Sequence, residues 1–186
     1  MKATDHLRKE HEDIKAMLRI LDEMSARLEA GECLNSAHLD DILEFIQEFA
    51  DRCHHAKEEN ILFPAMETAG ILRERGPIGV MLIEHLEGRK LVKGMREGLA
   101  RLKGGEDGGA KAISENARKY SELLIQHIHK EDNILYPIAD TTLSPEAEVE
   151  IEKAFERVEI ELIGLDRHER YRQILSRLAA EYPPTA

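Results

Sequence analysis

Tryptophan is absent from this chain, and phenylalanine and tyrosine together supply only 4% of its residues. That scarcity argues against an aromatic-rich sheet core, and the abundance of Leu, Ala, Ile, Glu, Lys and Arg favours helix. Two cysteines, Cys33 and Cys53, are too few for a disulfide scaffold, and Cys53 reads as a buried core thiol. No apolar run is long enough to span a bilayer, so no membrane association is expected. The opening MKATDHLRKEH is charged throughout, unlike a secretory signal, which leads to the expectation of a cytoplasmic protein. An excess of positive charge is also missing. The formal net charge is −11, and the phosphate field of nucleic acid or of an anionic membrane would repel it.

What remains is an ordinary soluble composition, 42% hydrophobic and 34% charged over 186 residues, enough for one core with a modest extension. Apolar residues recur at helical spacing almost throughout. A first helix is expected from the cap Thr4 to Gly31, with Leu7, Ile14, Leu18, Leu21 and Leu28 on one stripe. A second runs from Ser36 to about Pro64, burying Leu39, Leu43, Ile46, Ala50, Cys53 and Ile61. A third carries Ile78, Met81, Leu82, Val92, Met95, Leu99 and Leu102, and the glycine-rich residues 103–109 form a flexible connection. A fourth spans about Ala110 to Tyr136, where Pro137 ends or kinks it. Ser144-Pro145-Glu146 starts a final helical region to about 182, with a break at Gly164 and a stop at Pro183-Pro184. The expected architecture is all-α, an antiparallel four-helix bundle over residues 1–140, with a C-terminal helical extension over 141–186 packed on or beside it.

An internal repeat sorts the polar residues. Residues 54–64 read HHAKEENILFP and residues 127–137 read HIHKEDNILYP, identical at seven of eleven positions. A Glu-His pair precedes each one, Glu10-His11 and Glu84-His85. His11 and His85 stand 74 positions apart, and His54 and His127 stand 73 apart, so the chain reads as a duplicated helix hairpin with approximate two-fold symmetry. His54 matches His127 and Glu58 matches Glu131, whereas His55 matches Ile128 and His129 matches Ala56. At helical spacing His54 and Glu58 continue an apolar stripe, while His55 and Glu59 continue a polar one through Glu48, Asp51 and Arg52. His11, His54, Glu58, His85, His127 and Glu131 thus interrupt four apolar stripes.

An unpaired carboxylate inside a bundle costs several kcal/mol, so it pairs, protonates or binds a cation. His and Glu at i, i+4 share one face of a helix and reach a common ion or adjacent ions. Two such pairs and two further histidines offer four nitrogens and two carboxylates. Two ions bridged by the carboxylates would keep room for water, oxide, oxygen or peroxide. A lone histidine on an apolar stripe is ordinarily a hydrogen-bonded core residue and a lone HxxxE a surface pair, but four stripes with repeat symmetry outweigh both readings. No thiolate is in the set, and mixed imidazole and carboxylate suits iron best, ahead of manganese, cobalt and zinc.

The order His11, His54-x-x-x-Glu58, Glu84-His85 and His127-x-x-x-Glu131 resembles the hemerythrin-like HHE cation-binding domain over residues 1 to about 140. The resemblance implies four terminal ligands, His11, His54, His85 and His127, with Glu58 and Glu131 bridging two iron ions that share an oxide, hydroxide or water. Oxygen-carrying hemerythrins place a further histidine one turn after the helix-three ligand, where this chain has Arg89 preceded by Gly88. The symmetric set is similar to that of bacterial iron-centre repair proteins, which carry an extra N-terminal cysteine-bearing domain not found here. It is also similar to the sensor domain of an iron-responsive ubiquitin ligase. The function implied is binding or sensing of oxygen, peroxide or nitric oxide, with peroxide decomposition, an oxidase activity, or iron storage or delivery as alternatives. Tyr120, two turns before His127, is a candidate partner for a bound oxygen, and Gly88 for ligand space. Glu59 and Asp132 are candidates for supporting the ligands. His6, His38 and His168 read as surface or local contacts.

Overall fold

The computed structural model describes residues 2–74, 76–160 and 165–183, with the side chains of 165–168 left aside. Helix α1 is Ala3–Glu29. Helix α2 is a continuous helical run over 36–68, α3 is Pro77–Lys103, and α4 is a second continuous run over 109–142. Pro145–Val158 forms α5 and Leu165–Glu181 forms α6. The described residues contain no strand. Helices α1 to α4 close the expected all-α antiparallel four-helix bundle, with α3 and α4 packed along their length and α1 against α4 and α2.

The helix ends follow local chemistry. Helix α1 starts one residue earlier than its expected cap. Asp5 accepts the Lys2 backbone N–H at 3.0 Å, and Thr4 instead turns inward and donates to Asp140 Oδ1 at 2.5 Å. At the other end Gly31 takes φ +80°, and the Glu32 N–H returns to the Arg27 carbonyl at 3.0 Å. Gly109 is forced by proximity, because a Cβ there would lie 2.6 Å from the Leu102 backbone nitrogen.

Neither Pro64 nor Pro137 stops its helix. Helix α2 continues to Thr68 and α4 to Thr142. In both, a π-helical turn lies just before the proline, Glu58–Leu62 and Glu131–Leu135. The Phe63 N–H reaches back to the Glu58 carbonyl, and the Tyr136 N–H to the Glu131 carbonyl. This i to i−5 pairing rearranges the ladder around a residue that has no N–H to give. The duplication is therefore visible in the backbone as well as in the side chains. Helix α2 carries a second π-helical stretch, Ile46–His55, whose counterpart in α4 is regular α-helix.

Two apolar clusters fill the bundle. One gathers Ile14 to Leu28 of α1, Leu39 to Cys53 of α2, Leu91 to Leu99 of α3 and Ile113 to Ile128 of α4, and α6 adds Tyr171, Ile174, Leu175 and Leu178, with Tyr182 just past its end. The other holds Ala3, Leu7, Leu62, Phe63, Met66, Ile78, Met81, Leu135, Tyr136 and Ala139, with Ile151 and Phe155 from α5. The C-terminal helices thus complete both clusters. The expected break at Gly164 falls outside the described residues, and α6 ends at Glu181, just before the expected stop at Pro183-Pro184. No described helix is long and apolar enough to cross a membrane.

Candidate metal centre

Between the two clusters lies a buried polar layer made of His11, His54, Glu58, His85, His127 and Glu131. The structure brings all six sequence-predicted residues together. His11 Nε2 is 3.1 Å from His54 Nε2, and His85 Nε2 is 3.0 Å from His127 Nε2. Glu131 spans the two imidazole pairs, with Oε2 3.2 Å from His11 Nε2 and Oε1 3.0 Å from His127 Nε2. Glu58 Oε2 lies 3.4 Å from His85 Nε2 and 3.9 Å from His54 Nε2. Glu58 Oε2 and both oxygens of Glu131 are buried without a well-formed hydrogen bond.

This geometry fits metal ions. Two ligands at right angles on a first-row ion, each about 2.1 Å from it, stand about 3 Å apart. One donor atom each from His11, His54 and Glu131 gathers within 4.8 Å, and so does one each from His55, Glu58, His85 and His127.

Each imidazole is oriented by a carboxylate on its other nitrogen, a common device of metal-binding histidines. His54 Nδ1 meets Glu10 at 2.9 Å, and His127 Nδ1 meets Glu84 at 2.9 Å. His11 Nδ1 meets Asp132 at 2.8 Å, and His85 Nδ1 meets Glu59 at 2.7 Å. Glu10 and Glu84 are repeat mates, as are Glu59 and Asp132, so both expected supporting residues take that place. Cations close a third layer. Lys57 holds Glu10 at 2.5 Å, its mate Lys130 holds Glu84, Arg89 holds Glu59 at 2.8 Å and Lys15 holds Asp132 at 3.3 Å.

Without metal this layer is a cage of opposite charges. Burial would lower the His11 pKa, but Asp132 and Glu131 override it and raise it to about 9. His127 rises to about 10 because Glu131 and Glu84 outweigh burial in the same way, and His85 is also raised. Burial would raise Glu10, yet hydrogen bonds and charge from His54 and Lys57 hold it at about 2.

Two findings depart from the sequence reading. His55, read onto a polar stripe, is buried with its ring stacked on His85 at 3.9 Å between centroids. The stripe assumed regular α-helix, whereas residues 46–55 are π-helical, and the aligned apolar Ile128 was a signal that this position faces inward. Tyr136, matched with Phe63 as a conservative pair, donates to Glu58 Oε1 at 2.7 Å and lies 3.3 Å from His11 Nε2. Phe63 only stacks on His85 at 6.1 Å, so one half of the layer has a hydroxyl and the other has none. Tyr120 and Gly88 line a cavity of about 340 Å³ that reaches the layer at His55 and His85, with Arg89, Lys93 and Arg96 also on its wall.

The remaining histidines behave as expected. His129 is exposed beside Asn133, His6 lies 3.7 Å from Glu159, and His38 Nδ1 is 2.8 Å from the Tyr182 hydroxyl. The His168 side chain lies outside the described residues.

Two uncharacterized proteins, from Mycobacterium tuberculosis and Mycobacterium bovis, are each 24% identical to the chain over 142 residues, covering 76% of the chain. The same match covers 55% of each relative, so the chain spans about half the length of the curated relatives it matches. No solved structure gives a significant match. The model of the hemerythrin HHE cation-binding domain matches residues 2–139, three quarters of the chain, and the chain belongs to that family.

Proposed function

We propose that the polar layer binds two iron ions and that the protein binds or senses a small ligand there, oxygen, peroxide or nitric oxide. The observation that carries this reading is the set of three buried carboxylate oxygens without well-formed hydrogen bonds, faced by four imidazole nitrogens whose opposite edges are all anchored. In this reading His11 and His54 would hold one ion and His85 and His127 the other, Glu58 and Glu131 would supply carboxylate oxygens to both, and an oxide, hydroxide or water would complete the pair. A bound iron pair supplies open positions for small oxygen ligands and a change of oxidation state.

The chain's own residues set the conditions. Glu10, Glu59, Glu84 and Asp132 hold protons on the Nδ1 atoms, which leaves the Nε2 lone pairs facing inward. Tyr136 keeps a hydroxyl proton at the Glu58 side, available to a ligand oxygen, and its pKa is pushed well above the usual range by burial and then by Glu131 and Glu58. The apolar clusters on both sides exclude bulk water, and the cavity past Gly88 and Tyr120 gives a small molecule its route. A cytoplasmic setting suits two unpaired thiols, Cys33 and Cys53.

The test is metal analysis of anaerobically purified protein, followed by its visible spectrum in air. About two irons per chain with an oxo-bridge charge-transfer band is the expected result. Zinc or no metal after ferrous reconstitution would overturn the reading. Turnover of added peroxide would move the function from ligand binding to peroxide decomposition.

A further inference from the structure

The cavity beside Gly88 is far larger than a diatomic or peroxide ligand requires. At about 340 Å³ it falls among small-molecule pockets, which span about 300–1,000 Å³, whereas a water-sized ligand needs only some tens of Å³. Its wall changes character from one end to the other. Past His55 and His85 at the inner end, the lining is Gly88, the Tyr120 ring, Ile46 and Val92. One polar group remains on that stretch, the Tyr120 hydroxyl, which belongs to a residue 2% exposed and bonds to none of the described residues. The outer end is cationic. Arg96 stands eight residues beyond Gly88, about 12 Å along α3, with Lys93 one turn before it. Lys93 has only Glu97 near it, at 3.9 Å, with both side chains more than half exposed. Arg96 gives its Nη2 to the neutral Gln47 amide oxygen at 2.6 Å, and Asp40, 3.7 Å away, is already held by Lys103. Arg89, deeper in, is committed to Asp51 and Glu59. Three lining cations thus face one lining carboxylate, Asp51, on a chain of formal charge −11. Such a local reversal of sign draws in anions.

We infer that this cavity is a binding site for a small organic monocarboxylate. Its carboxylate sits between Lys93 and Arg96, its apolar body lies along Val92, Ile46 and Gly88, and an oxygen at its far end meets the Tyr120 hydroxyl. An inorganic anion would answer the cations but leave the apolar stretch unfilled, and a neutral apolar molecule would leave the cations unanswered. The inference stands apart from the iron-pair reading, because Lys93, Arg96 and Tyr120 are not among the six residues of the polar layer. Seated there, the acid would close the way from solvent to His55 and His85.

The probe is 8-hydroxyoctanoate, which carries a carboxylate, an eight-carbon body and a terminal oxygen. It is titrated calorimetrically into the full chain as purified, with the metal content of the same sample measured. One site per chain is expected. The diol 1,8-octanediol lacks the charge and acetate lacks the body, and each should bind at least about tenfold more weakly. The double variant Lys93→Gln, Arg96→Gln should weaken the hydroxy acid about 10–100-fold while its urea midpoint stays close to native. Gly88→Leu should abolish binding. Equal affinity for the acid and the diol, native-like binding by the double variant, or no saturable binding by the native chain would overturn the inference. Lys93 and Arg96 stand at the surface, so the double variant decides even if Gly88→Leu does not fold. Binding of the acid by a chain that holds no iron would support this site and sink only the iron reading.

Discussion

Lys57 and Lys130 occupy the same repeat position and hold the same kind of partner, yet their removal should have very different costs. The Lys57 side chain is 0% exposed, seated between Glu10 at 2.5 Å and Glu159 at 2.7 Å, with Phe155 beneath it. Lys130 has a side chain 31% exposed and only Glu84 as its acid partner. Lys57→Met preserves volume but leaves the Glu10 carboxylate buried with His54 alone, a loss of about 3–5 kcal/mol. Lys130→Met opens a pair that water reaches, and the loss there is at most about 1 kcal/mol. In a chain of this size the first substitution lowers Tm by roughly 10 °C and the second by a few degrees. Urea unfolding of the metal-free protein, followed by circular dichroism, measures both. The double variant Lys57→Met, Glu10→Gln should recover part of the loss, because the stranded charge is gone. Equal effects of the two lysine substitutions, or no recovery in the double variant, would refute the argument that burial by α5 separates the half-sites.

Filling the cavity should block ligands without removing metal. A Cβ at Gly88 would sit 3.5 Å from Tyr120, an ordinary contact, so Gly88→Ala should be silent. Gly88→Leu should abolish azide binding to the ferric protein while iron content stays at the native level, and normal azide titration by that variant would sink the idea. Glu58→Ala or Glu131→Ala should strip most of the iron, whereas Glu59→Ala, which loses a carboxylate held between Arg89 and the far edge of His85, should weaken iron binding about 10–100-fold. Metal analysis after dialysis against a chelator separates the two classes, and equal loss in all three variants contradicts it. The metal-free protein should lose stability as pH rises. The raised pKa values of His11, about 9, and His127, about 10, mean that the folded chain binds more protons than the unfolded chain above about pH 6.5. That contribution is complete below pH 6.5 and is gone once the pH passes both folded values. The urea midpoint of metal-free protein should therefore fall between pH 6.5 and 10, and a flat or rising midpoint would contradict the sign.

The sequence was most informative where the duplication repeated a signal. Six ionisable residues on four apolar stripes led directly to the buried layer, and the repeat pairing of Glu59 with Asp132 pointed to carboxylates that support imidazoles. The pairing of Glu10 with Glu84 carries the same information within the Glu-His motif. Legibility failed where the backbone departs from 3.6 residues per turn. His55 seemed to share a face with Glu48 and Arg52 only because a regular helix was assumed across residues that are π-helical. Pro64 reads as a helix end and Pro137 as an end or a kink for the same reason, since no periodicity rule anticipates a wide turn that reroutes the hydrogen bonds ahead of a proline. The hydroxyl that distinguishes Tyr136 from Phe63 was present in the sequence but looked conservative. Its role depends on a 2.7 Å approach to a glutamate 78 residues away, which spacing along one helix cannot reveal.

The polar layer also divides the interior. Its two sides are separate apolar clusters, one closed by Tyr171 and its neighbours on α6 and the other by Phe155 and Ile151 on α5. The molecule is in effect two short bundles spliced end to end, sharing four helices but not one continuous oil-like core. The splice is ionic, and its strength depends on what fills it. Emptied and deprotonated, it leaves each end to open on its own, so amide exchange near Phe155 and near Tyr171 should lose its common rate. Loaded, it pins all four helices at one height and makes the two ends breathe together.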